Sequence, residues 1–272
     1  MTEPWEPPVS EHRIRLDVPG AARVWDFFMG GKDNYEIDRA AGQAALSMYD
    51  FAALARNSRQ FLIRVVRYLA EEAGVRQFLD IGCGLPVTEG QNTHQIAQSI
   101  TPESRIVYID NDPIVLTHAR ALLVNTTSEG VTTYVDADYH DPDLVLAHAK
   151  SVLNFDEPIA VMFMGSLGYA RDYDVAKSIV GQVMAGVPSG SLLALWDEDD
   201  STPNAEEIFG GYAASGAVPY TPPPAQKIRR CFEGLEVVEP GLVPITQWRP
   251  TVASVGGEPP SDPTTGGVAR KP

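Results

Sequence analysis

Two rhythms of apolar and polar positions divide the chain. From residue 77 onward, short solid blocks of apolar residues alternate with stretches in which apolar positions fall three or four apart. A short solid block reads as a strand buried on both faces, and the wider spacing as a helix laid against it. Blocks at 77–81, 105–109, 131–135, 158–164, 191–196 and 235–238 predict strands. Helices are predicted between them at 94–100, from Pro113 to near residue 123, from Asp141-Pro142 to near residue 153, and at 173–185. A last strand, antiparallel to the others, is predicted at 266–270, and 243–248 is a candidate extension of the sheet. Such alternation builds a doubly wound α/β fold with a mostly parallel, seven-stranded sheet.

Ahead of the first strand the pattern is helical throughout. Apolar positions 24, 25, 28 and 29 predict a helix that Gly30-Gly31 stops. The polar group Lys32-Asp33-Asn34-Tyr35 precedes a second helix at 38–49, for which Asp33 or Asn34 is a candidate cap. A third helix is predicted at 57–73, with Phe61, Val65 and Leu69 on one face and Gly74 at its end. The division is therefore a proline-rich arm over 1–18, a helical cap over 19–75, and a sheet domain over 76–272. Within the sheet domain, 200–234 is an insertion with two weak helical patterns, and 251–264 reads as a loop.

Charge and composition narrow the function. The net charge of −15 carries no basic stripe to offset it, which disfavours a nucleic-acid partner. Two distant cysteines, Cys83 and Cys231, supply neither a disulfide framework nor metal-ligand spacing. The amino terminus lacks the basic start and apolar core of a secretory signal, and the apolar run at 159–170 is too short to span a bilayer. The expectation is a cytoplasmic protein with no metal and no membrane partner.

Candidate chemistry lies at the ends of the predicted strands. Asp80-Ile81-Gly82-Cys83-Gly84 closes the first, where two glycines allow a sharp turn and a close ligand approach. A dinucleotide fingerprint needs a third glycine, and that position is Val87. Asp110 ends the second strand at the distance from the glycines where a carboxylate reaches a ribose diol, while Asp112 caps the helix after Pro113. Asp136-Ala137-Asp138-Tyr139 follows the third; either aspartate suits an adenine amine, with Asp138 favoured.

The form Asp-x-Gly-x-Gly resembles motif I of the class I S-adenosylmethionine (SAM)-dependent methyltransferases. The whole chain resembles the methyltransferase family once called domain of unknown function 574. The resemblance rests on Arg23-Val24-Trp25-Asp26 with Gly30-Gly31-Lys32-Asp33-Asn34-Tyr35, on Arg67-Tyr68-Leu69, on 78–86 and on Asn92-Thr93-His94. It continues through 107–113, Asp136-Ala137-Asp138, Pro188-Ser189-Gly190-Ser191, Val238-Glu239-Pro240-Gly241 and 267–272. It implies a Rossmann-like class I methyltransferase fold with SAM as cofactor. The SAM site read on this basis takes Asn34, Tyr35, Asp80, Gly82, Gly84, Asp110, Asn111, Asp138, Tyr139 and Gly165.

Two places depart from the family pattern. Leu167-Gly168 stands where Leu-His is frequent, and Trp196-Asp197 where Ser-His is frequent, so no general base is singled out. Tyr35, Ser166, Tyr169, Asp197 and Glu198 are the other polar groups near strand ends, and His94 and His140 read as structural. The leading expectation is SAM-dependent methylation of a small molecule, such as one of secondary metabolism, with residues 19–35 as a lid. A protein that senses SAM or S-adenosylhomocysteine without turnover is the alternative. A nicotinamide dehydrogenase is disfavoured by Val87 and Asp80.

Overall fold

The strand Gln77–Ile81 (β1) is buried along its whole length, with a parallel strand on each edge and a hydrophobic core on each face. One neighbour is Arg105–Asp110 (β2), which pairs in turn with Val131–Asp136 (β3); the other is Ala160–Met164 (β4), which pairs with Leu192–Glu198 (β5). Glu236–Val237 (β6) and Thr264–Arg270 (β7) complete the sheet, with β7 antiparallel to β5. The order is β3-β2-β1-β4-β5-β7-β6. This is the predicted doubly wound, seven-stranded sheet. The computed structural model describes residues 15–87, 90–122, 125–170, 172–250 and 262–272.

Helices lie on both faces. Ala21–Phe28 (α1), Glu36–Leu46 (α2) and Phe51–Arg67 (α3) precede the sheet; Thr93–Ile100 (α4), Pro113–Leu122 (α5), Pro142–Lys150 (α6) and Tyr173–Gly186 (α7) alternate with strands. Ala205–Ala214 (α8) and Ala225–Arg230 (α9) occupy the predicted insertion. Side chains alternate between the faces of a strand, and the parallel register pairs even positions with even ones: Phe78 with Ile106 and Ala160, and Ala160 with Leu192. Odd positions such as Leu79, Val107, Phe163 and Leu195 therefore share one core with α6 and α7. Even positions, among them Phe78, Tyr108, Met162 and Trp196, share the other with α1, α3 and α4. The same parity puts Asp80, Asp110 and Glu198 on the face that the amino-terminal helices cover.

Several boundaries differ from expectation for identifiable reasons. The second helix begins at Glu36 because Asp38 reaches back to accept the Tyr35 N–H (2.9 Å). The third begins at Phe51, capped by Asp50, which accepts the Ala53 N–H (2.9 Å); its buried face already includes Leu54 and Ala55. It passes into a wider turn at Tyr68–Glu72. The extension expected at 243–248 is one bridge, Val243 to Gly266, followed by a short turn of 3-10 helix at Ile245–Gln247. Pro244, with no N–H to donate, separates the two. Arg64 of α3 donates to the carbonyls of Ile245 (2.6 Å) and Trp248 (2.8 Å), holding that segment to the helical face. The last strand starts at Thr264 rather than Gly266. Most of the expected arm and most of the loop at 251–264 lie outside the described residues.

Two buried charges join the first helices. Arg23 Nε donates to Asp38 Oδ2 (2.8 Å) with both side chains almost fully buried, and Asp38 Oδ1 accepts the Gly20 N–H (2.9 Å). One carboxylate thus fixes the start of α1 against the start of α2. Among the described residues no helix is long and apolar enough to cross a membrane.

Candidate functional site

A cavity of about 960 Å³ lies over the carboxyl ends of β1, β2, β4 and β5. That is where a doubly wound sheet places its ligands. Residues 18–29, α3 and α8 supply walls and roof.

The β1 end is shaped by its two glycines. Both have φ of +67°, and the N–H groups of Gly82 and Cys83 donate to Ile109 O (2.8 and 3.3 Å). A Cβ on Gly82 would stand 2.7 Å from Ser166 Cβ, whereas one on Gly84 would meet nothing within 4 Å. Gly82 is thus a packing and turn position, and Gly84 is the glycine whose missing side chain leaves open space. Gly165, with φ of +79°, is also a close-approach site: a Cβ there would come within 2.7 Å of the Trp196 ring.

Three predicted carboxylates border this half of the cavity. Asp80 is 3% exposed; its Oδ2 accepts the Thr93 hydroxyl (2.7 Å), and its Oδ1 has no hydrogen-bond partner among the described residues. Burial pushes Asp80 up to about 6, against the Thr93 bond and the Arg59 charge. Asp110 Oδ2 accepts the Gly84 N–H (2.9 Å) and Oδ1 the Asp112 N–H (3.0 Å), and burial pushes it to about 6 despite those bonds. Asp112 Oδ1 accepts the Ile114 N–H (2.8 Å), so Asp112 caps α5 as expected.

At the third corner Asp138 is half exposed and pairs with the His140 N–H (2.9 Å) and Nδ1 (2.7 Å). Burial raises its pKa, but the His140 contacts and a bond from Asn111 outweigh that and hold it below the usual aspartate value. Asn111 and Tyr139 border the cavity with it. The Tyr139 hydroxyl donates to Ser166 O (3.0 Å), which leaves its ring, stacked on His140, and its backbone for a ligand.

Asn34 and Tyr35 are not brought to the cavity. The Asn34 amide donates to Asp26 Oδ2 (2.7 Å) and Gly31 O (3.1 Å), and Arg39 donates to its oxygens. Tyr35 sits 42% exposed at the start of α2, with the Arg23 guanidinium carbon 5.4 Å from its ring centre. Both belong to the network that joins α1 to α2, and Asp26, Trp25 and Phe28 are the nearby residues that border the cavity.

Two contributions were missed. Arg59 of α3 borders the cavity near Asp80; burial pushes its guanidinium below the usual arginine value and the Asp80 charge pushes it back up. An arginine one helical turn from both Ala55 and Leu62, inside a buried stripe, was the available signal. Apart from Tyr169, already named among the strand-end polar groups, the aromatic lining had none, because Trp25, Trp196, Phe209, Tyr212 and Tyr220 come from distant segments. Trp25 and Trp196 stand 6.3 Å apart, and Tyr220 lies 4.8 Å from Tyr169 and 5.2 Å from Phe209.

Glu198 borders this aromatic end, 4% exposed, and its Oε1 accepts the Thr202 hydroxyl (2.7 Å). Burial, with Asp197, Asp199 and Asp262 adding to it, pushes Glu198 up to about 8. Asp197 is fully buried, accepts the hydroxyls of Tyr220 and Tyr173, and is pushed to about 7 by burial.

Comparison with known proteins places this geometry. A family model described as S-adenosyl methyltransferase matches residues 8–272. The chain is similar to a DUF574 family protein from Streptomyces avermitilis, at 39% identity over 96% of this chain and 100% of that one, with a TM-score of 0.88. It is also similar to a candidate methyltransferase from Thermobifida fusca, at 36% identity over 95% and 97% of the two chains, with a TM-score of 0.83. No curated protein matches it.

Proposed function

The chain belongs to the S-adenosyl methyltransferase family, and from that premise we propose that it transfers the methyl group of SAM to a small molecule enclosed in the cavity. Asp80 Oδ1, a buried carboxylate oxygen at the cavity wall without a partner among the described residues, is the observation that carries this reading. Such an atom is costly unless a ligand donates to it. The methionine part of SAM carries both an ammonium, which suits Asp80, and a carboxylate, which suits Arg59. Gly84 leaves open space in the same cavity lining, Asp110 has lone pairs left for two ribose hydroxyls, and Asn111, Asp138 and Tyr139 suit the adenine edge.

Bound SAM supplies a methyl group already activated by a sulfonium. What remains for the protein is to hold donor and acceptor in line and exclude water. Residues 18–29 roof the cavity, which supports a covering role for the amino-terminal helices. The volume lies at the upper end of small-molecule sites, enough to favour an enclosed acceptor over a polymer.

Calorimetric titration with SAM, S-adenosylhomocysteine and NAD tests the donor, and release of labelled methyl to a panel of amines, phenols and carboxylates tests turnover. Binding of SAM and S-adenosylhomocysteine but not NAD, with label in at least one acceptor, is expected. Binding without transfer to any acceptor would instead favour a SAM sensor.

A further inference from the structure

Glu198 is unusual among the carboxylates of the cavity. Asp80, Asp110 and Asp138 lie at the corners assigned above to SAM. Glu198 lies across the sheet, two residues beyond Trp196 on the same face of β5, where the wall is aromatic. Among the described residues its surroundings offer little that favours a negative charge. The charges acting most strongly on it are Asp197 on its own strand, Asp199 just beyond the strand end and Asp262 from the segment before β7, all acidic. Tyr49, between α2 and α3, also feels its charge and is pushed up to about 12, chiefly by burial. Beside it, Trp196 Nε1 is buried with no partner among the described residues. A buried carboxyl among acids lacks a counter-charge, and aromatic faces favour a cation.

We propose that the acceptor is an amine carried on a flat, apolar body, and that Glu198 is the group that receives its ammonium and takes its proton. Trp25, Trp196, Phe209 and Tyr212 hold the apolar body and face the cation. The ammonium docks against the Glu198 carboxylate as an ion pair. For reaction, an N–H bond breaks, its electron pair stays on nitrogen as the nucleophilic lone pair, and the proton forms an O–H bond on Glu198. Burial favours the neutral carboxylic acid so formed, so the same environment that welcomes the cation also helps to deprotonate it. Thr202 fixes one carboxyl oxygen through its 2.7 Å bond, and Oε2 is the oxygen left for the amine. The acceptor role rests on the methyltransferase reading; the amine site stands on Glu198 and its aromatic walls.

Phenethylamine and 2-phenylethanol, alike in shape and different in charge, are the probes. Each is titrated by calorimetry into the full chain, alone and after saturation with S-adenosylhomocysteine, in two buffers of different ionisation enthalpy. Expected at pH 7 is about tenfold tighter binding of the amine, the gain of a charge-assisted bond over a neutral one, with proton release to the buffer as Glu198 ionises. Glu198→Gln should abolish that preference and the proton release while leaving S-adenosylhomocysteine affinity unchanged. Equal binding of amine and alcohol by the wild-type chain overturns the proposal, whether or not the variant folds. A preference that survives Glu198→Gln in a folded variant overturns it too. Amine preference without S-adenosylhomocysteine binding would overturn the donor reading and leave the amine site standing.

Discussion

The two halves of the cavity are built on different plans. The half at β1, β2 and β3 is made of backbone turns and the carboxylates beside them. Gly84 donates to Asp110, Asp110 also holds Asp112, and Asp112 caps α5. Each contact spans a short loop or one strand pairing, so the geometry exists before any ligand arrives. The half at β4 and β5 is a convergence of side chains. Trp25 comes from α1, Trp196 and Glu198 from β5, Phe209 and Tyr212 from α8 and Tyr220 from the loop beyond. Local chain geometry can fix the first kind of site; the second exists only when the whole fold has formed. On the proposed reading the donor falls to the locally built half, and the acceptor to the half assembled from distant segments.

The sharpest break of this comparison is at Gly82. A β-branched side chain at φ of +67° is strained, and its Cβ would stand 2.7 Å from Ser166. Gly82→Val should abolish S-adenosylhomocysteine binding and lower the melting temperature, both measurable on the purified variant. Gly84→Ala shares the φ penalty but meets open space, so it should remain folded. A Gly82→Val protein that melts like wild type would mean that the β1 turn is not the rigid element described.

Next in size are the donor carboxylates. Asp80→Asn should weaken S-adenosylhomocysteine by about tenfold or more, since a hydrogen bond to a charged group contributes about 1.5–3 kcal/mol. Asp110→Ala should do the same, with two ribose hydroxyls left unpaired. Calorimetry at constant pH measures both. If Glu198→Gln weakened S-adenosylhomocysteine as much as these, the division into two halves would fail.

The difference in plan also governs what the sequence could reveal. Asp80, Gly82, Gly84, Asp110 and Asp138 were legible because strand ends and glycine turns leave marks within a few residues. The alternation predicted a doubly wound, mostly parallel sheet, while the strand order is seen only in the structure. Arg59 was not singled out, since one polar residue in a buried helical stripe reads first as an exception to the pattern. Glu198 was one candidate among several, because nothing local to it shows that β5, α8 and the loop at Tyr220 close around it. Asn34 and Tyr35 were misplaced for the opposite reason. A dense polar block looks like a site, and here the Asn34 side chain and the Tyr35 N–H are consumed in joining α1 to α2.

A smaller effect separates the halves by pH. Asp80 and Asp110 are pushed up to about 6, so they become carboxylates as pH rises through that value, and S-adenosylhomocysteine should bind more tightly at pH 7 than at pH 5. Glu198 has the wider window, from the ordinary 4.5 in the unfolded chain to about 8 when folded. Between those values the folded state holds more protons, so the contribution of Glu198 to stability falls as pH rises. Without ligand, Glu198→Gln should therefore lose less melting temperature than wild type between pH 5 and pH 8. Parallel curves for the two proteins would remove Glu198 from that balance.

The smallest effect is expected at Tyr35, and it tests where the boundary of the site lies. Its hydroxyl does not border the cavity, its ring is exposed, and its contribution to the α1–α2 junction is its backbone N–H on Asp38. Alanine keeps that N–H. The ring's approach to Arg23 is at a half-open surface, where such contacts contribute little, and Arg23 remains bonded to Asp38 and to Val18 O. A surface substitution of this kind changes stability by about 0.5 kcal/mol or less, which in affinity is about twofold. Tyr35→Ala should therefore leave S-adenosylhomocysteine binding within that margin. Asn34→Ala should do more, because it removes the amide that holds Asp26 (2.7 Å), and Asp26 borders the cavity. If Tyr35→Ala instead weakened binding as strongly as Asp80→Asn, the ring would have to swing inward when ligand binds. Residues 19–35 would then be a moving lid rather than the fixed roof that Asp38 and Arg23 secure.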